Sequence, residues 1–247
     1  MAAFDSLLQA KLDDAVRISA KRPHFIGFLD EARLFQAERY LRSKKGLSIL
    51  LWGGHEEAER KCIGFFPGFI EPSEDAFPVE GISFTYRKSE SLSHRDFLGA
   101  FINLGVTRAS VGDIIIGEGY AVAFIKTGVR EPFLRNLSKI GKTGVFVSEG
   151  FSQPLPAIRR LESFTGIVAS LRLDCVTACL LRCGREKAAE TIRQGLVSVN
   201  HSEVCSVSHR LRPGDTVSIR KKGKFVLDNA DARTGKGRLV VNIRKYL

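Results

Sequence analysis

The chain has 247 residues, 44% hydrophobic and 26% charged, the balance of a soluble globular protein with material for more than one core. That composition excludes a disordered, fibrous or membrane-embedded chain. Lys and Arg number 38 against 27 Asp and Glu, and the resulting net charge of +11 points toward a polyanionic partner.

The charge is unevenly placed. A cut after Ile158 leaves 20 basic and 19 acidic residues upstream and 18 basic against 8 acidic downstream, so nearly all of the excess lies in the last third. The first five residues bring an acid, Asp5, with no apolar run behind it, so neither a secretory signal nor a transit peptide is indicated. The longest apolar runs, 49–52 and 114–116, are far too short to span a membrane. Five cysteines in such a chain read as reduced thiols, and a cytoplasmic location is expected.

Residues 4–20 carry Leu7, Leu8, Leu12, Ala15, Val16 and Ile18 at helical spacing, and residues 30–41 repeat the pattern with Leu34, Ala37 and Leu41. Gly46 stops the second helix. Residues 47–52 form an apolar strand, Gly53-Gly54 a turn, 56–61 a helical turn and 62–66 another apolar stretch. The double glycine before a charged helix could cradle a phosphate. A strand-to-helix turn, with Glu56 paired to Arg60 and Glu57 to Lys61, is the favoured reading, and a contact with rRNA or protein through Arg60 and Lys61 stays open. These residues, 1–70, form a small α/β domain, and the proline- and acid-containing stretch 67–78 is a linker.

The middle segment, 76–152, has a more telling order. Ile82, Phe84 and Tyr86 alternate with polar residues as in a half-buried strand. Ser93 with Asp96 starts a helix striped by Phe97, Leu98, Phe101, Ile102 and Leu104 and ended by Gly105. Strands at 113–116 and 120–125 flank the turn Gly117-Glu118-Gly119. A helix over 130–140 and a strand over 145–148 complete β-α-β-β-α-β, the connectivity of the ferredoxin-like plait of RNA-recognition domains. Tyr120 and Phe124 stand where stacking residues could stand in such a domain; facing the helices and filling the core is an equally good reading.

After Pro154-Leu155-Pro156 and the pair Arg159-Arg160 comes the basic third, 164–247. Asp174 is placed as the N-cap of a helix with Val176, Cys179, Leu180 and Cys183 along its apolar stripe. Gly184 breaks that helix and starts a second over 185–194, ended by Gly195. A strand over 196–200, a tight turn through His201, a turn at Arg212-Pro213-Gly214-Asp215 and a strand over 216–220 follow. Arg185 and Lys187 sit in the first turn of a helix, where free backbone N–H groups and the helix dipole already favour an anion. Arg220-Lys221-Lys222-Gly223-Lys224 is a cationic ribbon, continued by Arg233, Lys236 and Arg238 across a second hairpin.

This third resembles the S4 RNA-binding domain. The resemblance rests on Arg172-Leu173-Asp174, Arg185-Glu186-Lys187-Ala188, Ile192 with Gly195, Val197-Ser198-Val199-Asn200, and Gly214-Asp215 followed by Val217 and Arg220, with Gly184 where the family often has Ser. Phe28-Leu29-Asp30 and the stretch from Gly53-Gly54 to Lys61 are similar to the opening domain of the YlmH-type S4 proteins. The expected class is therefore α+β and multidomain: a small N-terminal α/β unit, an RRM-like middle domain and a C-terminal S4 domain.

The resemblance implies a non-enzymatic, cofactor-free factor of bacterial ribosome-associated quality control. Such a factor binds large ribosomal subunits obstructed by peptidyl-tRNA and supports untemplated tailing of the stalled chain. Its partners would be large-subunit rRNA and tRNA, with other quality-control proteins as further candidates and no membrane. The candidate RNA-binding residues are Arg172, Arg182, Arg185, Lys187, Arg193, Asn200, Arg220, Lys221, Lys222 and Lys224.

Other signals carry less. Gly141-Lys142-Thr143 ends like a phosphate-binding loop, but Asn136 stands where the pattern requires the first Gly. Cys175, Cys179 and Cys183 share a helix side without a zinc-type pair, and the five histidines have no ligand spacing, so no metal is expected. An RNA-modifying enzyme, a pseudouridine synthase or methyltransferase, is the alternative, because S4 domains accompany both. No G-x-G-x-x-G cofactor loop occurs, and residues 1–150 are divided into units too small for a synthase core. An adaptor role for the near-neutral first two segments is compatible with RNA binding.

Overall fold

The structure is a computed structural model describing all residues except 1–4, 43, 45, 157–160, 201, 236 and 247. The readings placed on Phe4, Arg159, Arg160, His201 and Lys236 lie outside the described residues. The chain divides into two compact units, one reaching to residue 158 and one starting at residue 159. Both are mixtures of helices with antiparallel sheets. Among the described residues no helix is long and apolar enough to cross a membrane.

In the first unit, α1 (Ser6–Ser19) starts where the Asp5 carboxylate accepts the N–H groups of Leu7 and Leu8. It is followed by β1 (His24–Leu29), α2 (Glu31–Leu41) capped by Asp30, β2 (Ser48–Trp52) and β3 (Lys61–Phe66), with sheet order β1-β3-β2. The helices bury Leu8, Leu12, Leu34 and Leu41 against Ile26, Leu29, Ile63 and Phe65 on one face. The opposite face carries Phe28, Cys62 and Phe66. Next come β4 (Val79–Thr85), α3 (His94–Asn103), β5 (Val111–Ile116), β6 (Tyr120–Lys126), α4 (Arg130–Asn136), β7 (Lys139–Ile140), β8 (Thr143–Gly144) and β9 (Phe146–Glu149). Strands β5-β6-β4-β9 form a four-stranded antiparallel sheet. Phe97 and Phe101 of α3 and Phe133 of α4 pack on its Ile82, Phe84, Ala121, Ala123 and Ile125. The Ser93–Asp96 capping box forms as the spacing predicts.

The second face of this sheet changes three expectations. Ile115, Val122 and Phe124 close onto Phe28, Cys62, Phe66 and Phe77 in one continuous core. The strand expected to be half-buried is therefore covered on both sides as far as Ser83, which is itself buried. The stretch 67–78 is no free linker, because the Phe77 ring lies 5.0 Å from that of Phe25. Phe124 does fill the core, fully buried, but on the face opposite the helices, its ring tilted against that of His55 at 4.7 Å.

The 53–61 motif is irregular where a helical turn with i,i+4 pairs was expected. The backbone N–H groups of Glu59 and Arg60 donate to the Asp113 carboxylate at 2.7 and 3.1 Å, which diverts them from helical partners. Arg60 turns inward, its Nε donating to the Val111 carbonyl and its Nη2 to those of Phe28 and Arg108. The guanidinium is thus spent on carbonyls of the fold. The helix over 130–140 is also shorter than expected. It stops at Asn136, because Lys139–Ile140 pairs with Thr143–Gly144 around Gly141, at φ +58°, and this buries Ile140 in the core.

The second unit comprises β10 (Leu161–Val168), α5 (Leu173–Leu181), α6 (Arg185–Arg193), β11 (Val197–Val199), β12 (Ser202–Glu203), β13 (Thr216–Ile219), β14 (Gly223–Arg233) and β15 (Leu239–Tyr246). Its sheet order is β10-β15-β14-β13-β11-β12. Leu173, Val176 and Ile192 of the helices pack on Val197, Val217, Phe225, Val241 and Ile243. Strand β10 has no forecast in the sequence reading; its ladder partner β15 begins more than 70 residues later. Asp174 is not the N-cap of α5. Arg172 holds that position, and Asp174 sits in the first turn.

Candidate nucleic-acid interface

The basic surface of the second unit is organised by Asp174. Its side chain is 7% exposed and accepts Arg172 Nε and Nη2, both at 3.1 Å, and Arg185 Nη2 at 2.7 Å. The Cys175 N–H donates to the same carboxylate at 2.9 Å. Burial pushes the carboxyl pKa up, but the hydrogen bonds from Arg172 and Arg185 outweigh it and hold the group well below the usual carboxylate range. The two arginine side chains stay 42% and 59% exposed while anchored to the carboxylate. Arg185, Glu186 and Lys187 occupy the first turn of α6, whose N-cap Gly184 supplies no side chain to its free N–H groups. Lys187 is exposed there.

The start of α5 is tied to the loop before β13, since Leu173 N–H donates to the His209 carbonyl and Asp174 N–H to that of Val207. A single bridge pairs Arg172 with Arg210. Arg210 is exposed and was absent from the sequence candidates, because only a pairing across 38 residues brings it beside Arg172. Arg182 caps α5 in the left-handed conformation, φ +49°, with its side chain exposed.

The ribbon is a hairpin tip. Ser218 pairs with Lys224 and Ile219 with Gly223, leaving Arg220, Lys221 and Lys222 exposed in the connection, with Lys221 at φ +63°. Lys224 lies over the Tyr246 ring at 4.9 Å. Arg220 N–H donates to the Leu196 carbonyl, which sets the ribbon beside Gly195 at the C-terminal end of α6. Arg193, exposed in the last turn of α6, is on the ribbon's side. Arg185 and Lys187 are at the other end of that helix, about 12 Å away along its axis. Nine of the ten candidates thus fall into two patches joined by α6. Asn200 belongs to neither patch. Its Nδ2 donates to Asp215 at 2.7 Å and its Oδ1 accepts Thr216 N–H at 2.9 Å, so its amide clasps the turn before β13.

Among the described residues no group of three or more His, Cys, Asp or Glu could hold a metal ion. Cys175 is buried in the core and Cys179 packs against it.

The chain is 32% identical over 196 residues to the ribosome-associated protein quality control protein P2 of Bacillus subtilis (strain 168), covering 78% of this chain and 76% of that relative. Residues 72–152 match the family model described as "Putative RNA-binding domain in YlmH". The chain belongs to the YlmH family. A solved YlmH structure, the cell division protein ylmH from Streptococcus pneumoniae, superposes with a TM-score of 0.52 at 22% identity, over 60% of this chain and 92% of that one, a likeness of fold. The matched YlmH segment runs from the aromatic-bearing stretch before β4 to Ser152, so the family's RNA-binding assignment falls on the four-stranded sheet and not on the basic unit.

Proposed function

We propose that this protein is a non-enzymatic RNA-binding factor of ribosome-associated quality control, acting in the cytoplasm on large ribosomal subunits that hold peptidyl-tRNA and supporting the tailing of the stalled chain. The name of the Bacillus subtilis relative supports the ribosomal setting. The strand order β5-β6-β4-β9, with two helices on one face, supports reading residues 76–152 as an RRM-like plait. The helix pair α5 and α6, followed by β11 and β13, supports reading 164–247 as an S4 domain.

The observation that carries the reading is the Arg172–Asp174–Arg185 cluster beside the open start of α6. Two arginines held by one buried carboxylate present fixed donors at a point where backbone N–H groups already favour a phosphate. Arg182, Lys187, Arg193 and Arg220–Lys224 extend the field for rRNA or tRNA. The test is co-sedimentation with separated ribosomal subunits over a salt series. Arg185→Ala with Lys187→Ala should weaken large-subunit binding and reduce its salt slope by somewhat under one unit per lost phosphate contact. Unchanged affinity and slope would reject this surface.

A further inference from the structure

The four-stranded sheet is covered on its outer face only in part. Ladder register places Tyr120, Thr85 and Phe146 side by side on β6, β4 and β9, since Thr85 pairs with both of the others. Residues of β4 alternate between faces: Ile82, Phe84 and Tyr86 meet the helices, so Thr85 and its two partners point the other way. Farther along the same face Phe124 and Val122 lie under the N-terminal sheet, and Phe151 crosses Gly81 and packs on Phe124 at 5.3 Å. The cover ends before Thr85. Phe146 is 71% exposed, and Thr85 is exposed beside it.

The open end of the sheet around Phe146 is polar and charged. Ser148 is the next residue of β9 on its face, with its hydroxyl 2.9 Å from that of Ser83. Arg87, two residues past Thr85 and the first residue of the turn after β4, is exposed with no ion pair among the described residues. Lys88 lies across Gly119 on the β6 side of Thr85, where a Cβ would meet its Cγ at 2.8 Å, and it too is exposed. The acids nearby are Glu118 in the β5–β6 turn and Glu90, whose carboxylate accepts the Thr143 hydroxyl at 3.1 Å. A single bare ring among hydroxyls and charged groups is a poor core for a protein interface, which needs a contiguous apolar centre. It matches what an unpaired nucleotide requires: a π-face for the base and cations for the phosphate.

We infer that Phe146, with Arg87 and Lys88 in the turn that follows β4, stacks one unpaired RNA base on the open end of this sheet. This rests on the RNA-binding reading above and adds to it a second site in the other unit, selective for single-stranded RNA. The site holds one base and not a row, because Phe124 is buried and the Tyr120 hydroxyl is engaged by the Ser152 N–H at 3.2 Å.

The experiment uses the full chain and two fluorescent probes, a mixed-sequence single-stranded RNA decamer and a blunt RNA duplex, titrated by anisotropy. Phe146→Ala should weaken decamer binding by about 5- to 100-fold and leave the duplex unchanged, whereas Phe146→Trp should retain decamer binding. Arg185→Ala with Lys187→Ala should weaken both probes. Loss of both probes in that double variant with wild-type decamer affinity in Phe146→Ala would overturn the stacking site and leave the function standing. No loss in either variant would overturn both. Equal weakening of decamer and duplex by Phe146→Ala would also reject base stacking.

Discussion

Gly54 lies directly against the ring of Phe124: a Cβ on Gly54 would stand 2.2 Å from Phe124 Cδ1, and the residue has φ +97°. The double glycine of the 53–61 motif is therefore a packing device that lets the loop descend onto the outer face of the four-stranded sheet. Both the left-handed backbone and the overlap with a buried ring oppose a side chain. Gly54→Ala should destabilise the first unit by roughly 2–4 kcal/mol, read from urea unfolding. Stability within a few tenths of wild type would show that the loop can lift off the ring.

Gly99 makes the contrasting case. It lies in the middle of α3 with nothing within 4 Å of an added Cβ, and its backbone is helical. Gly99→Ala should raise stability by about 0.5–1 kcal/mol, seen as a higher thermal midpoint, because alanine restricts the unfolded chain without meeting a neighbour.

Arg60 donates to three carbonyls from two separate segments, and burial, with Arg108 nearby, lowers its pKa to about 10. Arg60→Ala should cost about 2–4 kcal/mol in chemical denaturation through the orphaned acceptors, and Arg60→Lys should not restore it, since an ammonium lacks the planar fork. Binding of duplex RNA should stay at the wild-type level. A loss of RNA affinity without loss of stability would assign Arg60 to the ligand.

Asp113 opposes burial with donors from His55, Glu59 and Arg60, and its pKa falls below the ordinary value. A carboxylate whose folded pKa is depressed contributes stability above its unfolded pKa, near 4, and loses that contribution as the pH falls through the folded value. Acid unfolding followed by circular dichroism should therefore steepen below about pH 4 in wild type. Asp113→Asn should be less stable at neutral pH and show a flatter acid limb. Parallel acid limbs would mean the charge on Asp113 is immaterial.

Asp174 separates charge from position. If the basic surface worked through net charge alone, Asp174→Asn would tighten RNA binding by removing an acid. Because the carboxylate holds Arg172 and Arg185 in place, the variant should instead bind large subunits more weakly, with a salt slope close to wild type. Tighter binding would refute the positioning role.

Much was legible in the sequence because it is local. The helical spacing in 5–19 and 31–41, the capping box at Ser93, the hairpin around Gly117-Glu118-Gly119 and the Gly184 start of α6 are fixed by residues within a few positions of one another, and they fold as read. The charge asymmetry is likewise a property of the chain order.

What the sequence could not decide was which side of a strand meets what. Alternation in β4 and β6 shows that two faces exist, but the burial of Phe124 depends on Phe28, Cys62 and Phe77, which lie 47 to 96 residues upstream in the chain. The exposure of Phe146 follows from where that cover stops. The same holds for Asp174, read as a cap until Arg185, eleven residues on, closes on it. Sequence alone determined that this protein carries a concentrated cationic module and a β-α-β-β-α-β body. Only tertiary packing decided which aromatic ring is spent on the core and which is left to the solvent, because burial is a property of faces brought together from distant parts of the chain.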